Sequence, residues 1–310
     1  ILRFDDDQIG ILKNGDHVVD VSSVIRHRAE RGPQRVMEVL IGDFDDYRGE
    51  IEKIVERESG VPLSSVKLLS PISRPSKCLA AFVNYLDKPG RTVESLVIEF
   101  FHKSPELVGP EGEIELRDIP PVAVFQAEAE FAFIVGKHAK NVTQENAMDY
   151  VFGYTNFIDG SARGLGPGGN VFYMMKSRET FAPIGPYIVT KDEINDPQKL
   201  DVKLWVNGEV KQDFNTDDMA HKIPRIIEWV SSIHTLEPGD IIATGTNHRG
   251  LSSFQDGDKV ELECEGCGRL TINIQDDLKR TWARTTRLEH AESGAEGVQT
   301  PQLTGKYAPS

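Results

Sequence analysis

Between Cys78 and Ile274 the chain presents one short alternating or wholly apolar run after another, with a single clear amphipathic helix among them. The runs are CLAAFVN (78–84), FQAEAEFAFIVG (125–136), YVFGYTNFID (150–159), YIVT (187–190), VKLWVNGEVKQDF (202–214, a hairpin through Asn207-Gly208), DIIATG (240–245), KVELEC (259–264) and RLTINI (269–274). Their β-branched and aromatic residues suit a pleated, half-buried surface. A doubly wound α/β fold needs a helix between successive strands. Many strands served by so few helices point instead to a β-sandwich or rolled sheet. The helix is expected to be capped near Asn215-Thr216-Asp217 and to run through MAHKIPRIIEWVSSIH, with Pro224 in its first turns.

Three units are expected. Residues 1–70 read as a small accessory α/β unit. QIGILKNGDHVVDVSSVI is a hairpin turning at Asn14-Gly15-Asp16, and PQRVMEVLIGDFDDYRGEIEKIVERE has helical spacing around an internal Gly42. SPISRPSK (70–77) is a linker. Residues 71–283 carry the β-rich unit. The tail, 284–310, has no apolar periodicity and is either disordered or an arm laid over a neighbouring surface. The class is therefore α+β, predominantly β.

Charge narrows the partners. Acidic residues outnumber basic ones 49 to 35, a net charge of −14. A nucleic-acid partner needs a basic face, so it is excluded. An anionic small substrate is not, because a bound divalent metal reverses the local field. No apolar run approaches the roughly 20 residues that span a bilayer. The start, ILRFDDDQIG, lacks an initiator Met and does not read as a signal peptide, so a cytoplasmic protein is expected. Of three cysteines, Cys264 and Cys267 form CEGC. With only Cys78 left and no adjacent His, this is a tight turn flanked by thiols rather than a zinc or redox site.

Within FQAEAEFAFIVG, Glu128 and Glu130 are two residues apart. On a strand that spacing puts both carboxylates on one face, where like charges repel unless a cation lies between them. GYTNFIDGSARG places a third acid, Asp159, near a strand end. Three carboxylates make an all-oxygen site for a hard cation, Mg²⁺ or Mn²⁺. By spacing alone, a solvated acidic strand face is the commoner reading of such a pair.

AEAEFAFIVG, GYTNFIDGSARG, KSRETFAPIGPYIVT, LWVNGEVKQDFNTDDM and LEPGDIIATGT follow one another in that order. Together they resemble the fumarylacetoacetate hydrolase family over about residues 78–281. The resemblance implies a mixed β-sandwich roll, one divalent cation per chain, a homodimer, and 2-oxo or diketo acid substrates. It implies Glu128, Glu130 and Asp159 as metal ligands and Lys176, in MKSRETF, as a lysine reaching the substrate. Arg163, in SARG, and Thr246, in TGT, match positions near the ligand's oxygens; Tyr85 and Lys88 fall in the substrate-binding loop. Hydrolytic members usually have a histidine after the NY that ends the first strand, working with a glutamate to activate water. In VNYLDKPGRTVES, Lys88 stands roughly there, no His-Glu pair follows, and Glu94 is the nearby acid.

His248, in TGTNHRG, is the candidate acid–base residue in place of the dyad, with His102, in FFHKSPE, behind it. His221 reads as a packing or capping residue. GLGPGG (164–169) does not follow a strand and open a helix as a dinucleotide loop must, and reads as an active-site loop. The leading expectation is a metal-dependent hydrolase that cleaves a C–C bond of a 2-oxo or diketo acid in catabolism. A lyase of the same fold (decarboxylase, hydratase or isomerase) is the alternative if nothing replaces the dyad. A non-catalytic binding protein is the third reading.

Overall fold

The computed structural model describes residues 1–26, 32–119, 122–165, 172–296 and 299–308. The N-terminal unit is a five-stranded sheet of β1 (Leu2–Phe4), β2 (Gln8–Lys13), β3 (His17–Asp20), β4 (Val61–Pro62) and β5 (Leu68–Leu69), ordered β4-β3-β2-β1-β5. The β2–β3 hairpin turns where Asn14 and Gly15 take φ of 57° and 81°, a conformation open mainly to Asn and Gly. α1 (Ser22–Ile25), α2 (Gly32–Gly42) and α3 (Phe44–Arg57) complete the unit. The helical stretch expected to run through Gly42 breaks there instead. Gly42 ends α2 with Pro238 against it, 3.2 Å from where a Cβ would sit, and Asp43 begins a second helix.

The remainder is a roll of two sheets. One has six strands: β6 (Cys78–Ala81), β7 (Phe100–His102), β9 (Val124–Val135), β10 (Val151–Arg163), β11 (Ile184–Thr190) and β14 (Ile241–Ala243), in the order β11-β10-β9-β14-β6-β7. The other has β8 (Glu113–Glu115), β12 (Asp201–Val206), β13 (Glu209–Asn215), β15 (Lys259–Cys264) and β16 (Arg269–Gln275), in the order β13-β12-β15-β16-β8. Among the strands of the described residues, β6–β14 and β8–β16 are the parallel pairs. The edge strands β7 and β8 are three residues each, too short to show a period in sequence.

β9 is buried at all twelve positions, so it lies between two layers. Phe125, Ala127, Ala129, Phe131, Phe133 and Val135 face the main core with Leu262 and Ile272 of the second sheet. Burying each large side chain of that set contributes about 1.5–3 kcal/mol. On the opposite face, Ala132 and Ile134 belong to one buried cluster with Val24, Met37, Leu40 and Ile51 of the N-terminal unit. That unit therefore covers the apolar half of the face, and the half carrying Gln126, Glu128 and Glu130 is left for chemistry.

Two other expectations change. α5 (Ile223–Ile233) starts at Ile223, with Pro224 in its first turn, not near residue 215. A proline has no N–H to donate and clashes with the preceding turn, so the helix cannot extend back through it. Asn215 instead caps a separate short turn, Thr216–Asp218. The described part of the C-terminal segment carries regular structure paired with its own chain. α6 (Arg287–Ser293) opens with a capping box between Thr286 and Glu289, and β18 (Gln302–Thr304) pairs with β17 (Thr281–Trp282). Lys306 and Tyr307 both bind Asp118, at 2.6 and 2.9 Å. The CEGC motif is the β15–β16 turn, closed by the Cys267 N–H on the Cys264 carbonyl at 2.8 Å, and all three thiols are free and buried. Among the described residues, no helix is long and apolar enough to cross a membrane.

Candidate active site

The β9–β10 register places Asp159 directly across from Glu128, with Glu130 two residues further on the same face. One oxygen from each of the three carboxylates lies within 4.8 Å of the others. All three are buried, Glu130 and Asp159 completely. Glu130 Oε2 accepts the Gly245 N–H at 2.7 Å, while Oε1 has no partner among the described residues. Burial, followed by the charge of Asp159, pushes the Glu130 carboxyl well above the usual range. A buried carboxylate oxygen without a donor, beside two more carboxylates, fits a divalent cation with all-oxygen coordination.

Three cationic side chains ring the carboxylates. Lys176 ends α4 (Phe172–Lys176), and its Nζ lies 2.5 Å from Asp159 Oδ2 and 3.0 Å from Glu128 Oε2. Arg163, at the end of β10, pairs with Glu128 and also donates to Gln126 Oε1 at 3.3 Å. The third, Lys103, was not singled out from the sequence. Its Nζ donates to Asp159 Oδ1 at 2.5 Å and to the Gly160 carbonyl at 3.0 Å. Burial lowers the pKa of both lysines. The signal for Lys103 was the period of two in FFHK: Phe101 and Lys103 are buried, whereas Phe100 is half-buried and His102 exposed. His102 packs near His234, ring centres 6.1 Å apart.

The loop after β14 closes the site. Thr246 Oγ1 accepts from Gln212 Nε2 at 2.8 Å, and Gln212 Oε1 accepts the N–H of Ala129, the residue between the two glutamates, at 2.9 Å. Two residues on, His248 meets Asp87. Its backbone N–H donates to Asp87 Oδ2 at 2.9 Å, and its ring Nδ1 lies 2.7 Å from the same oxygen. Arg91 holds the other oxygen of Asp87. Burial lowers the His248 pKa to about 4, against the opposing pull of Asp87, so the ring is neutral at pH 7. With Nδ1–H on the carboxylate, Nε2 is a free lone pair. The turn carrying His248 lies so close to β13 that a Cβ on Gly250 would sit 1.9 Å from the Lys211 carbonyl.

Asp87, not its neighbour Lys88, faces His248; Lys88 is exposed. Tyr85 lies behind the site, fully buried, its ring edge-on to Phe214 and its hydroxyl unpaired among the described residues. Glu94 is exposed in a short turn, Val93–Ser95. His221 Nε2 lies 2.9 Å from the Leu96 carbonyl, a structural contact. Most of the glycine-rich run at 164–169 lies outside the described residues.

The sequence profile of the fumarylacetoacetate (FAA) hydrolase C-terminal family matches residues 77–275. The chain belongs to the fumarylacetoacetate hydrolase family. Maleylpyruvate hydrolase of Aquipseudomonas alcaligenes is 32% identical over 291 residues, spanning 89% of this chain and 99% of that protein. The crystal structure of maleylpyruvate hydrolase from Sphingobium sp. SYK-6, in complex with manganese(II) ion and pyruvate, is similar at 34% identity and a TM-score of 0.79, covering 89% of this chain and 98% of that one. Oxaloacetate tautomerase YisK of Bacillus subtilis is 36% identical over 68% of this chain and 74% of its own length. The relatives named here are enzymes, and the strand-dominated fold matches that of the solved maleylpyruvate hydrolase.

Proposed function

We propose that this protein is a divalent-metal-dependent hydrolase that cleaves a C–C bond of an acylpyruvate- or fumarylacetoacetate-like acid. Glu128, Glu130 and Asp159 would hold Mg²⁺ or Mn²⁺. When bound, such a cation supplies Lewis acidity to adjacent keto and carboxylate oxygens. The observation that carries the hydrolytic reading is the buried His248–Asp87 pair, which supplies an oriented neutral imidazole where the usual histidine–glutamate pair is missing. Asp87 fixes the tautomer, and Nε2 takes a proton from water as its oxygen attacks the acyl carbonyl carbon. The C–C bond then breaks, its electron pair passing to the enolate carbon of the departing 2-oxo acid, and the proton is returned there. Lys176 offsets the negative charge that develops.

The tautomerase relatives favour a second reading, in which His248 moves a proton within an oxo acid and no bond to carbon is hydrolysed. An acylpyruvate panel with Mn²⁺, followed by pyruvate release, separates the two. Pyruvate formation supports hydrolysis; none from any acylpyruvate, with enol–keto exchange of oxaloacetate accelerated, assigns the isomerase.

Lys176→Met should fold like the parent and lower turnover by about 100-fold or more, the scale of removing one charge-stabilising donor from a closed site. A near-parental rate would reduce Lys176 to a bystander. We also propose a homodimer. Tyr173 and Met174, on the outer side of α4, are 80% and 45% exposed, an apolar surface that a second copy would cover. Light scattering at micromolar concentration checks this; a monomer mass refutes it.

A further inference from the structure

Around Ala129 the ladder along β9 has a gap, and a side chain from the other sheet fills it. β14 pairs with β9 over Ala132–Ile134, and the Thr244 N–H and Oγ1 then donate to the Phe131 carbonyl at 3.0 and 2.7 Å. There the chain leaves β9. It returns at Ser253, bridged to Gln126, and at Phe254, whose N–H donates to the Phe125 carbonyl at 3.1 Å. The detour, residues 245–252, carries Thr246 and His248. On the other side of β9, Ile158 stands opposite Ala129 and turns its N–H away, to the Pro183 carbonyl at 2.9 Å. In such an antiparallel pair both partners point their N–H groups outward, so the Ala129 N–H faces the gap.

Ala129 is fully buried, and a buried N–H needs an acceptor. Gln212 Oε1 provides it at 2.9 Å, while Nε2 donates to Thr246 Oγ1 at 2.8 Å and to the Asn247 carbonyl at 2.7 Å. The amide thus turns both donors to the detour and its acceptor to the strand between Glu128 and Glu130. Its neighbours on that face of the hairpin, Val202, Leu204 and Phe214, are apolar and buried. Burying an amide among them costs desolvation, which these three bonds offset. A β-bulge aims it. Leu204 pairs with Gln212 and Trp205 with Val210, which leaves Lys211 as the extra residue. The His248–Gly250 turn rests on the same Lys211, with no room for a Cβ at Gly250.

Resting on the metal and base assignments proposed above, we propose that Gln212 is a positioning residue. It stands in for the neighbour strand at the gap and ties the ligand-bearing segment of β9 to the turn that presents His248, so that metal and base keep a fixed separation. Each end has a second support. Asp87 also holds the His248 N–H at 2.9 Å, and the Gly245 N–H holds Glu130 at 2.7 Å. Gln212 joins the two.

The test reads amide hydrogen exchange with EDTA present, Mn²⁺ affinity by calorimetry, and turnover, in the parent, Gln212→Met and Gln212→Glu. Gln212→Met keeps the length and loses all three bonds. The amides of Ala129 and of residues 246–248 should then exchange about 10-fold faster, the scale of one hydrogen bond. Mn²⁺ affinity should fall about 10-fold, the lower end for an outer partner of metal ligands, and kcat by about 10- to 100-fold with KM little changed. Gln212→Glu keeps the acceptor for Ala129 and loses at least one donor. Its Ala129 exchange and Mn²⁺ affinity should stay near the parent's, while the amides of 246–248 exchange faster and kcat falls. The proposal is overturned by parental exchange and Mn²⁺ affinity in Gln212→Met. It is equally overturned by a Gln212→Met that melts lower yet keeps parental kcat and Mn²⁺ affinity, which marks packing alone, or by a Gln212→Glu that loses Mn²⁺ affinity. If Gln212→Met does not fold, Gln212→Glu decides by itself. Exchange and Mn²⁺ binding are read without turnover, so a parent that hydrolyses no acylpyruvate refutes the hydrolase while those two readouts still decide Gln212. A parent that hydrolyses acylpyruvates, with Gln212→Met parental in both readouts, refutes Gln212 and leaves the hydrolase standing.

Discussion

Asp159→Ala is expected to abolish Mn²⁺ binding and, with it, catalysis. Asp159 has both oxygens engaged, by Lys103 at 2.5 Å and Lys176 at 2.5 Å, and it lies with Glu128 and Glu130 in the one oxygen-rich cluster among the described residues. Losing a first ligand should weaken Mn²⁺ affinity by more than about 100-fold, exceeding the 10- to 100-fold typical of an outer partner. The same change leaves two buried ammonium groups without their main counterion. Breaking a buried pair by deleting one partner destabilises by about 3–5 kcal/mol. A lower melting temperature than the parent is therefore expected even with chelator present. Calorimetric Mn²⁺ titration and thermal melts in EDTA check the two halves separately. A variant that binds Mn²⁺ like the parent would falsify the ligand assignment.

The second large effect belongs to the His248–Asp87 pair. His248→Ala should lower turnover by about 100- to 10,000-fold, the range of general acid–base catalysis, with Mn²⁺ affinity unchanged. Asp87→Asn keeps the shape but removes the charge that holds Nδ1–H, so it should lower the rate as well, while Lys88→Ala, on an exposed neighbour, should not. The pH dependence follows from the lowered pKa of His248, about 4 in the folded protein. The neutral ring is the working base, so the rate should fall as pH drops toward 4 and hold through neutrality. The sign for stability is the same. Between the ordinary histidine value of about 6.5 and the folded value, the unfolded chain binds the extra proton, so stability rises with pH across that window and is lost on acidification. Parental rates for His248→Ala together with loss in Lys88→Ala would move the proton transfer to the loop of residues 84–95.

The small Arg and Lys cluster shows where reading a sequence stops. Glu128 and Glu130 share a face because a strand repeats every two residues, and that is visible in FQAEAEF. Asp159 was a candidate because it sits in a recognisable motif, but its place opposite Glu128 is a matter of register. Register is set by the pairing of two twelve- and thirteen-residue strands, not by either strand alone. Lys103 escaped notice because the alternation in FFHK is only four residues long and the three-residue edge strand β7 ends just before it, and only the fold shows that it shares Asp159 with Lys176.

The family resemblance supplied Asp159 as a third ligand and the absence of the usual histidine after Tyr85; the residues alone carried the strand-rich class, the β2–β3 and β12–β13 hairpins and the Glu128–Glu130 pair on one face. These are local properties: side-chain period, turn chemistry and residue type, each readable within a few positions. Long-range packing alone sets the start of α5 at Ile223, pairs β18 with β17 of the same chain, and brings Asp87 to His248 across 161 positions. Such contacts join residues far apart in the chain. Their geometry depends on how two sheets and an N-terminal unit pack, and packing is a property of the whole surface buried rather than of any one segment.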